Sequence, residues 1–197
     1  GHKDANAARF GLALALLEAP EQNFDLAVEP LQHLAGVGDF PDRALALYYL
    51  GLAFRGQGHT PLALAVAKPA EAAQNQNTAK QKFEQAATRF GESVPALQAR
   101  VKPVVAVAGA PPPDPKILPV DVEWVARARC DHAESLLQAA KFKEARDAVT
   151  PFEADPILIR SRYRGLGLYL HGHASFALKE YPAAGKTLSQ LAPFNDP

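Results

Sequence analysis

The stretch Leu50-Gly51-Leu52-Ala53-Phe54, followed by Gly58 and Ala63, decides the fold class of this 197-residue chain. An aromatic residue three positions before an alanine, which would open a helix after a short turn, occurs at residues 24–27, 142–145 and 181–184. Small and large apolar residues at this spacing suit the contact between two packed helices. The pattern therefore predicts an all-α chain built from a stack of helix pairs.

Alanine and leucine at three- and four-residue spacing extend this pattern over residues 4–92 and 121–193. Thr60-Pro61 is a typical helix start, because a hydroxyl caps free N–H groups and proline suits the first turn. The expected helices cover about 4–18 and 23–34, 42–56 and 60 onward, 78–90, 121 onward and 141–153, and 155–178 and 181–191.

Seven prolines interrupt the helical pattern between residues 91 and 120. Residues 101–107 are too apolar for a freely solvated linker, so part of this stretch is expected to lie extended against the helices. We therefore expect two helix pairs and an extra helix over 1–92, a Pro-rich insert or linker over 93–120, and two further pairs over 121–197.

Composition excludes several classes of protein. Lys plus Arg and Asp plus Glu both number 21, so the basic footprint of a nucleic-acid binder is absent. No apolar run is long enough to span a bilayer, and the single cysteine, Cys130, excludes an internal disulfide. Because the chain lacks methionine and begins with Gly1-His2, we expect it to be part of a longer protein, and its cellular location stays open.

The second pair resembles the tetratricopeptide repeat, a family of helix–turn–helix units of about 34 residues. Leu50-Gly51, Phe54, Gly58, Ala63 and Ala70 fall at its Leu-Gly, aromatic, Gly and second-helix alanine positions. Weaker matches are Ala133, Leu136, Ala140, Phe142 and Ala145 in the third pair, Gly172, Tyr181, Ala184, Leu188 and Leu191 in the fourth, and Gly11, Leu14, Phe24 and Ala27 in the first. The units exceed the family length, and none has the early tryptophan of the motif.

The resemblance implies a right-handed superhelix whose first helices line a concave groove for an extended peptide or a helix of a partner protein. The groove residues that it implies are Tyr48, Leu52, Arg55, Arg127, Cys130, Glu134, Tyr169, His173 and Phe176. The family's carboxylate clamp of Lys, Asn and Arg is absent from these positions, so binding of chaperone tails is not expected. The alternative is that Tyr48 and Tyr169 only pack against the next unit or against the 91–120 insert.

Two groups of residues raise the question of catalysis or metal binding. In Cys130-Asp131-His132 the neighbours point in different directions on a helix, which favours a structural histidine over a nucleophile and base. His171 and His173 are two residues apart, whereas a helical zinc pair is usually spaced by four. We expect no enzyme activity and no cofactor.

Two charged groups complete the candidate sites. A free Gly1 amine with the His2 imidazole could hold Cu(II) in a square plane, as an adventitious site. The densest basic patch is a run of three arginines and two lysines on helices near the end of the chain. Its default interpretation is a solvated face, with an acidic partner or a lipid headgroup as the alternative. Its members are Arg160, Arg162, Arg164, Lys179 and Lys186.

Together these patterns predict a non-catalytic scaffold or adaptor that binds a protein or peptide partner in its groove. Self-association through the C-terminal repeat is a further expectation. The alternative is a structural spacer whose groove is filled by its own 91–120 segment.

Overall fold

The structure is a computed structural model that describes residues 2–102 and 117–192. All regular secondary structure in those residues is helical and none of it is strand, which confirms the all-α prediction. The helices are α1 (His2–Glu18), α2 (Phe24–Gly36), α3 (Arg43–Ala67), α4 (Ala72–Gln98), α5 (Val120–Gln138), α6 (Phe142–Val149), α7 (Pro151–Ala154), α8 (Arg164–Ala177) and α9 (Tyr181–Ser189), with short 3-10 turns at Pro69–Glu71 and Leu158–Arg160.

The helices pack in the order in which they occur along the chain. Contacts join α1 to α2, α2 to α3, α3 to α4, α4 to α5, α5 to α6, α6 to α8 and α8 to α9. Further contacts join α1 to α3 and α5 to α8. We call α1, α3, α5 and α8 the leading helices, and α2, α4, α6 and α9 the trailing helices that follow them.

The second helix pair differs from the prediction. Helix α3 continues through Gly56, Gly58 and Pro61, where the sequence predicted a turn between two helices. Its trailing partner is α4, which spans the predicted extra helix at 78–90. The predicted turn was wrong because the glycines of α3 make room for neighbouring helices and do not break the backbone.

Two glycines of α3 show this use directly. A Cβ atom added to Gly51 would lie 2.8 Å from the ring of Phe90, and one added to Gly58 would lie 2.9 Å from the ring of Phe83. Real Cβ atoms essentially never approach a neighbour so closely. The phenylalanines of α4 therefore rest on the bare backbone of α3, and a side chain at either glycine would push the helices apart.

The same arrangement occurs at other helix contacts. On its other side, α3 receives the ring of Phe24 from α2 at Gly56, where an added Cβ would overlap the ring. In the last pair, the backbone of α8 receives one aromatic ring from α7 and one leucine from α9. The paired residues there are Gly167 with Phe152 and Gly172 with Leu188.

The helix predicted over residues 155–178 begins later, at Arg164. The carboxylate of Asp155 accepts the backbone N–H groups of Ile157 at 2.8 Å and Leu158 at 3.0 Å. Aspartate side chains that bond nearby backbone groups favour turns over helix. The start signal at Asp155-Pro156 therefore belongs to a turn that precedes the helix.

The predicted insert also begins later than expected. Helix α4 continues through Pro95 to Gln98, held by the buried side chains of Val94 and Leu97. Val101 is half-buried against the hydrophobic cluster that contains Tyr48. The rest of that predicted segment, residues 103–116, lies outside the described residues.

An alanine at Gly56 is expected to lower the free energy of unfolding by about 1–3 kcal/mol, because its Cβ would overlap the ring of Phe24. The matched control is Gly11→Ala in α1, where no atom lies within 4 Å of the added Cβ. This control is expected to raise the free energy of unfolding by up to about 1 kcal/mol, since alanine is the better helix former. Urea unfolding measures both changes, and a Gly56→Ala variant as stable as the control would contradict the prediction.

Candidate functional site

Tyr48 is fully buried at the point where α3, α4 and α5 meet. Its ring centroid lies 5.4 Å from that of Phe90 and 5.2 Å from that of Trp124. Its hydroxyl donates a hydrogen bond of 2.5 Å to Oδ2 of Asp131. In this conformation Tyr48 offers no surface to a partner, in keeping with the alternative that it packs against the next unit.

Asp131 of α5 joins the side chains of two leading helices. Arg55 of α3 donates from Nη1 to Oδ1 of Asp131 at 2.7 Å, while Tyr48 occupies the other oxygen. The Nε atom of Arg127 lies 3.8 Å from the same carboxylate, and Arg55 also bonds Glu134 at 2.7 Å. We call these five residues the Asp131 network.

The Asp131 network is a structural connection between α3 and α5. The Asp131 side chain is only 12% exposed, so its charge needs these partners. Burial and the neighbouring Asp131 raise the pKa of Tyr48, which keeps the hydroxyl protonated and able to donate. Four of the groove candidates thus lie in this network, and Leu52 is half-buried in the adjoining cluster.

Cys130 of α5 is buried in a hydrophobic cluster that also contains Phe152 and Leu170. Its thiol lies 3.8 Å from the backbone carbonyl of Tyr163, to which it is a weak donor. Burial and the charge of Asp131 raise the pKa of the thiol. Activated cysteine nucleophiles need the opposite shift, so this environment favours a structural thiol.

The remaining groove candidates lie far along the chain on α8 and are exposed. Tyr169 is 52% exposed and Phe176 is 60% exposed, and His173 lies between them on the same helix face. Leu166, which is 45% exposed, extends the row at a spacing of three, four and three residues. We call Leu166, Tyr169, His173 and Phe176 the α8 stripe.

The α8 stripe is backed by a tightly packed helix face. Leu168, Leu170 and Ala174 are buried on the other sides of α8. The ring of Tyr169 lies 6.0 Å from that of His173, and the ring of Phe176 lies 5.4 Å from that of Tyr181 at the start of α9. An apolar face of this kind, unpaired within the described part of the chain, is typical of an interaction surface.

A second surface is a cleft of about 470 Å³ between the start of α5 and the turn before α8. Glu123 holds the two segments together: it accepts a 2.6 Å bond from the Ser161 hydroxyl and a 3.3 Å bond from the backbone N–H of Arg162. We call this surface the arginine cleft. It is lined by Ile117, Leu118, Val120, Glu123, Trp124, Arg127, Arg160, Arg162 and Tyr163.

Sequence spacing did not predict the arginine cleft. Arg160 ends the 3-10 turn Leu158–Arg160, Arg162 lies between that turn and α8, and both line the cleft with Arg127 of α5. Arg164 is half-buried and donates to Gln190 at 3.1 Å. The three arginines of the basic patch are therefore divided between the cleft and the contact with Gln190. The hydrogen bond between Ser161 and Glu123 brings the two segments of the cleft together, and neither residue belongs to a sequence motif that would predict this contact.

His171 and His173 lie on different faces of α8, as expected from their spacing of two residues. His171 is buried, with its Nδ1 atom 3.2 Å from the hydroxyl of Thr187 and its Nε2 atom 3.8 Å from Glu153. The described residues contain no cluster of three His, Cys, Asp or Glu side chains placed to hold a metal ion. The side chains of the possible Cu(II) site at Gly1 and His2 lie outside the described part of the chain.

His132 lies beside the Asp131 network and packs its ring against Gly91 of α4. Its pKa is lowered to about 4, first because burial disfavours the charged ring and then because Arg129 repels it. The ring is therefore neutral at physiological pH and acts as a packing residue between α4 and α5.

Comparison with known proteins gives no relative: no family model, curated protein or solved structure matches the chain. None of the helices in residues 2–102 and 117–192 combines the length and the apolar character needed to cross a membrane.

Replacing Asp131 by asparagine is expected to lower the free energy of unfolding by about 1–3 kcal/mol, because Arg55 would lose its buried carboxylate partner. Glu134→Gln is the matched control, since Glu134 bonds the same arginine but is 49% exposed and should contribute less than about 1 kcal/mol. Urea unfolding of both variants tests this, and equal effects would show that burial of Asp131 is unimportant.

Acid is expected to destabilise the chain through His132. Since its pKa of about 4 lies below the ordinary value of about 6.5, the unfolded state binds more protons between these values. This contribution to stability is complete above about pH 6.5 and is lost as the pH falls toward 4. Lowering the pH from about 7.5 to about 5 should therefore cost about 1–2 kcal/mol through this residue.

Urea unfolding at both pH values, with His132→Gln beside the wild type, measures this contribution. His171, whose pKa burial also lowers, is present in both proteins, so the difference between them reports His132. The variant is expected to lose less stability than the wild type between the two pH values. The same loss in both proteins would contradict the assignment.

Proposed function

We propose that the chain is a non-catalytic binding module whose α8 stripe holds an apolar peptide or helix of a partner protein. The observation that carries the proposal is the exposure of four side chains on one face of α8, two of them aromatic. Tyrosine and other aromatic residues supply much of the binding energy at protein interfaces. A row spaced by three and four residues fits a partner helix or an extended segment.

The proposal contrasts α8 with α3. The aromatic groove candidate on α3, Tyr48, is covered by Trp124 and bound to Asp131, so that side of α3 has a partner in α5. Within the described residues no helix covers Tyr169 or Phe176 in the same way. The aromatic rings of α8 are thus exposed, whereas the aromatic ring of Tyr48 on α3 is covered by α5.

The architecture proposed for this module is the right-handed superhelix of tetratricopeptide-like pairs. Contacts from each leading helix to its trailing helix and on to the next pair are what such a stack requires. A rigid stack holds the α8 stripe in place before a partner arrives, which lowers the entropic cost of binding.

The proposal assigns no catalytic activity because of the burial and the contacts of the cysteine and histidine side chains. Cys130 is buried with a raised pKa, His171 is bonded to Thr187, and His173 lies in the exposed row with Tyr169 as its aromatic neighbour. None of these contacts pairs a nucleophile with a base.

A spacer is the second candidate function, in which the 91–120 segment covers the groove. The observation in its favour is that one side chain near each described end of the Pro-rich segment is packed: Val101 lies against the cluster around Tyr48, and Leu118 is only 8% exposed. A spacer of this kind would need no partner on the α8 stripe.

The test is a pull-down read by mass spectrometry, in which the wild type, a stripe variant and a control variant serve as baits. The stripe variant is Tyr169→Ser with Phe176→Ser, and the matched control is Leu12→Ser with Leu26→Ser, which changes two similarly exposed side chains on α1 and α2. A protein captured by the wild type and the control but not by the folded stripe variant is the expected result. Gel filtration of the same proteins tests whether a second copy of the chain is that partner.

Equal capture by all three baits, or capture by none, would favour the spacer. Circular dichroism of each bait establishes that it is folded, and because the substituted side chains are exposed, losses of stability should stay within about 0.5 kcal/mol.

A further inference from the structure

We propose that the arginine cleft is a second binding site, which takes an acidic segment of a protein chain whose carboxylates alternate with apolar side chains. The cleft shares no residue with the α8 stripe, so this inference goes beyond the function proposed above.

The charge of the cleft selects an anion. Three guanidinium groups line it, from Arg127, Arg160 and Arg162, against the single carboxylate of Glu123. Glu123 is only 14% exposed and is engaged by Ser161 and by the backbone of Arg162, so it holds the wall of the cleft together. Arg160 is exposed and forms no ion pair within the described part of the chain.

Aromatic rings fix the orientation of two of the arginines. The guanidinium carbon of Arg127 lies 5.4 Å from the ring centroid of Trp124, and that of Arg162 lies 5.1 Å from that of Tyr163. Stacking on an aromatic face fixes the plane of a guanidinium group. The Nε atom of Arg127 lies 3.8 Å from its carboxylate neighbour on α5, and that of Arg162 lies 4.0 Å from Glu123. Both distances are too long for a hydrogen bond, so the N–H groups can still donate to a ligand. That planar edge matches the two oxygens of a carboxylate.

Apolar side chains beside the arginines favour a peptide over a bare anion. Ile117 is 71% exposed and Val120 is 72% exposed at the edge of the cleft, where a free phosphate would leave both uncovered. Side chains of an extended peptide alternate between its two faces. A segment that alternates acidic and apolar residues would place carboxylates on the arginines and an apolar group on Ile117 or Val120.

The size of the cleft agrees with such a ligand. Its volume of about 470 Å³ lies within the range of roughly 300–1,000 Å³ that is typical of small binding sites. It has room for a few side chains of a peptide, so the affinity is expected to come mainly from charge and from covering Ile117 and Val120.

The chain carries its own reporter for the test. Trp124 is its only tryptophan and lies in the cleft beneath Arg127. A ligand that draws Arg127 away from the indole or covers it should change the tryptophan fluorescence. The probe is a short synthetic peptide that alternates aspartate with leucine, titrated into the full chain.

The expected result is a saturable change in fluorescence that weakens as the salt concentration rises. Two comparison peptides separate the contributions: one alternates asparagine with leucine, and the other alternates aspartate with serine. Both are expected to bind at least tenfold more weakly, the first because it lacks charge and the second because it leaves Ile117 and Val120 exposed.

The test variant is Arg160→Gln with Arg162→Gln, which is expected to weaken binding of the aspartate–leucine peptide at least tenfold. Arg9→Gln with Lys80→Gln removes the same number of charges from exposed positions on α1 and α4, and should bind like the wild type. If the double variant fails to fold, Arg160→Gln alone serves, since Arg160 is exposed and unpaired in the described residues.

The outcomes that overturn the inference are specific. Equal affinity of the wild type and the arginine variant for the aspartate–leucine peptide, or no fluorescence change with that peptide, would show that the cleft is not a peptide-binding site. Inorganic phosphate or phosphatidylserine vesicles that bind as tightly as the aspartate–leucine peptide would replace the peptide by a phosphate-bearing ligand. The stripe variant Tyr169→Ser with Phe176→Ser should bind the peptide normally, so failure here is distinct from failure of the proposed function.

Discussion

The close approach of helices at glycine is the constraint on which the rest of the structure depends. Gly51 and Gly58 let two phenylalanines of α4 rest on the backbone of α3, and Gly56 does the same for a phenylalanine of α2. The position of α3 between its neighbours is thus fixed by contacts that allow no added atom. Everything that α3 carries on its remaining side, including Tyr48, is held at a set distance from α5.

That distance allows one aspartate to connect the two halves of the chain. Asp131 accepts from Tyr48 and Arg55, which lie 83 and 76 residues earlier, and the connection crosses the Pro-rich segment. These bonds engage Arg55, Glu134 and one contact of Arg127 between α3 and α5. The α8 stripe lies on a later helix, whereas the arginine cleft adjoins the network at Arg127.

Much of the helical content could be predicted from the sequence, because helix signals are local. Asn23 caps α2 by accepting the backbone N–H of Leu26 at 3.0 Å, and the helices starting near residues 121 and 181 begin within one residue of their expected positions. The glycines of α3 were misread, since a helical glycine and a turn glycine look alike until the neighbouring ring is known. The arginine cleft could not be predicted either, because Glu123 and Ser161 are 38 residues apart and meet only through the packing of α5 and α8.

The neighbour-to-neighbour order of the helix contacts has a consequence for motion. In such an array stability is a sum of local contributions, and segments open individually according to the contacts they make. Within the described residues α9 packs chiefly on α8, whereas α3 is held from both sides by α2 and α4. The amide hydrogens of α8 and α9 should therefore exchange with solvent sooner than those of α3, and a ligand on either exposed surface would act as a clamp that slows this opening.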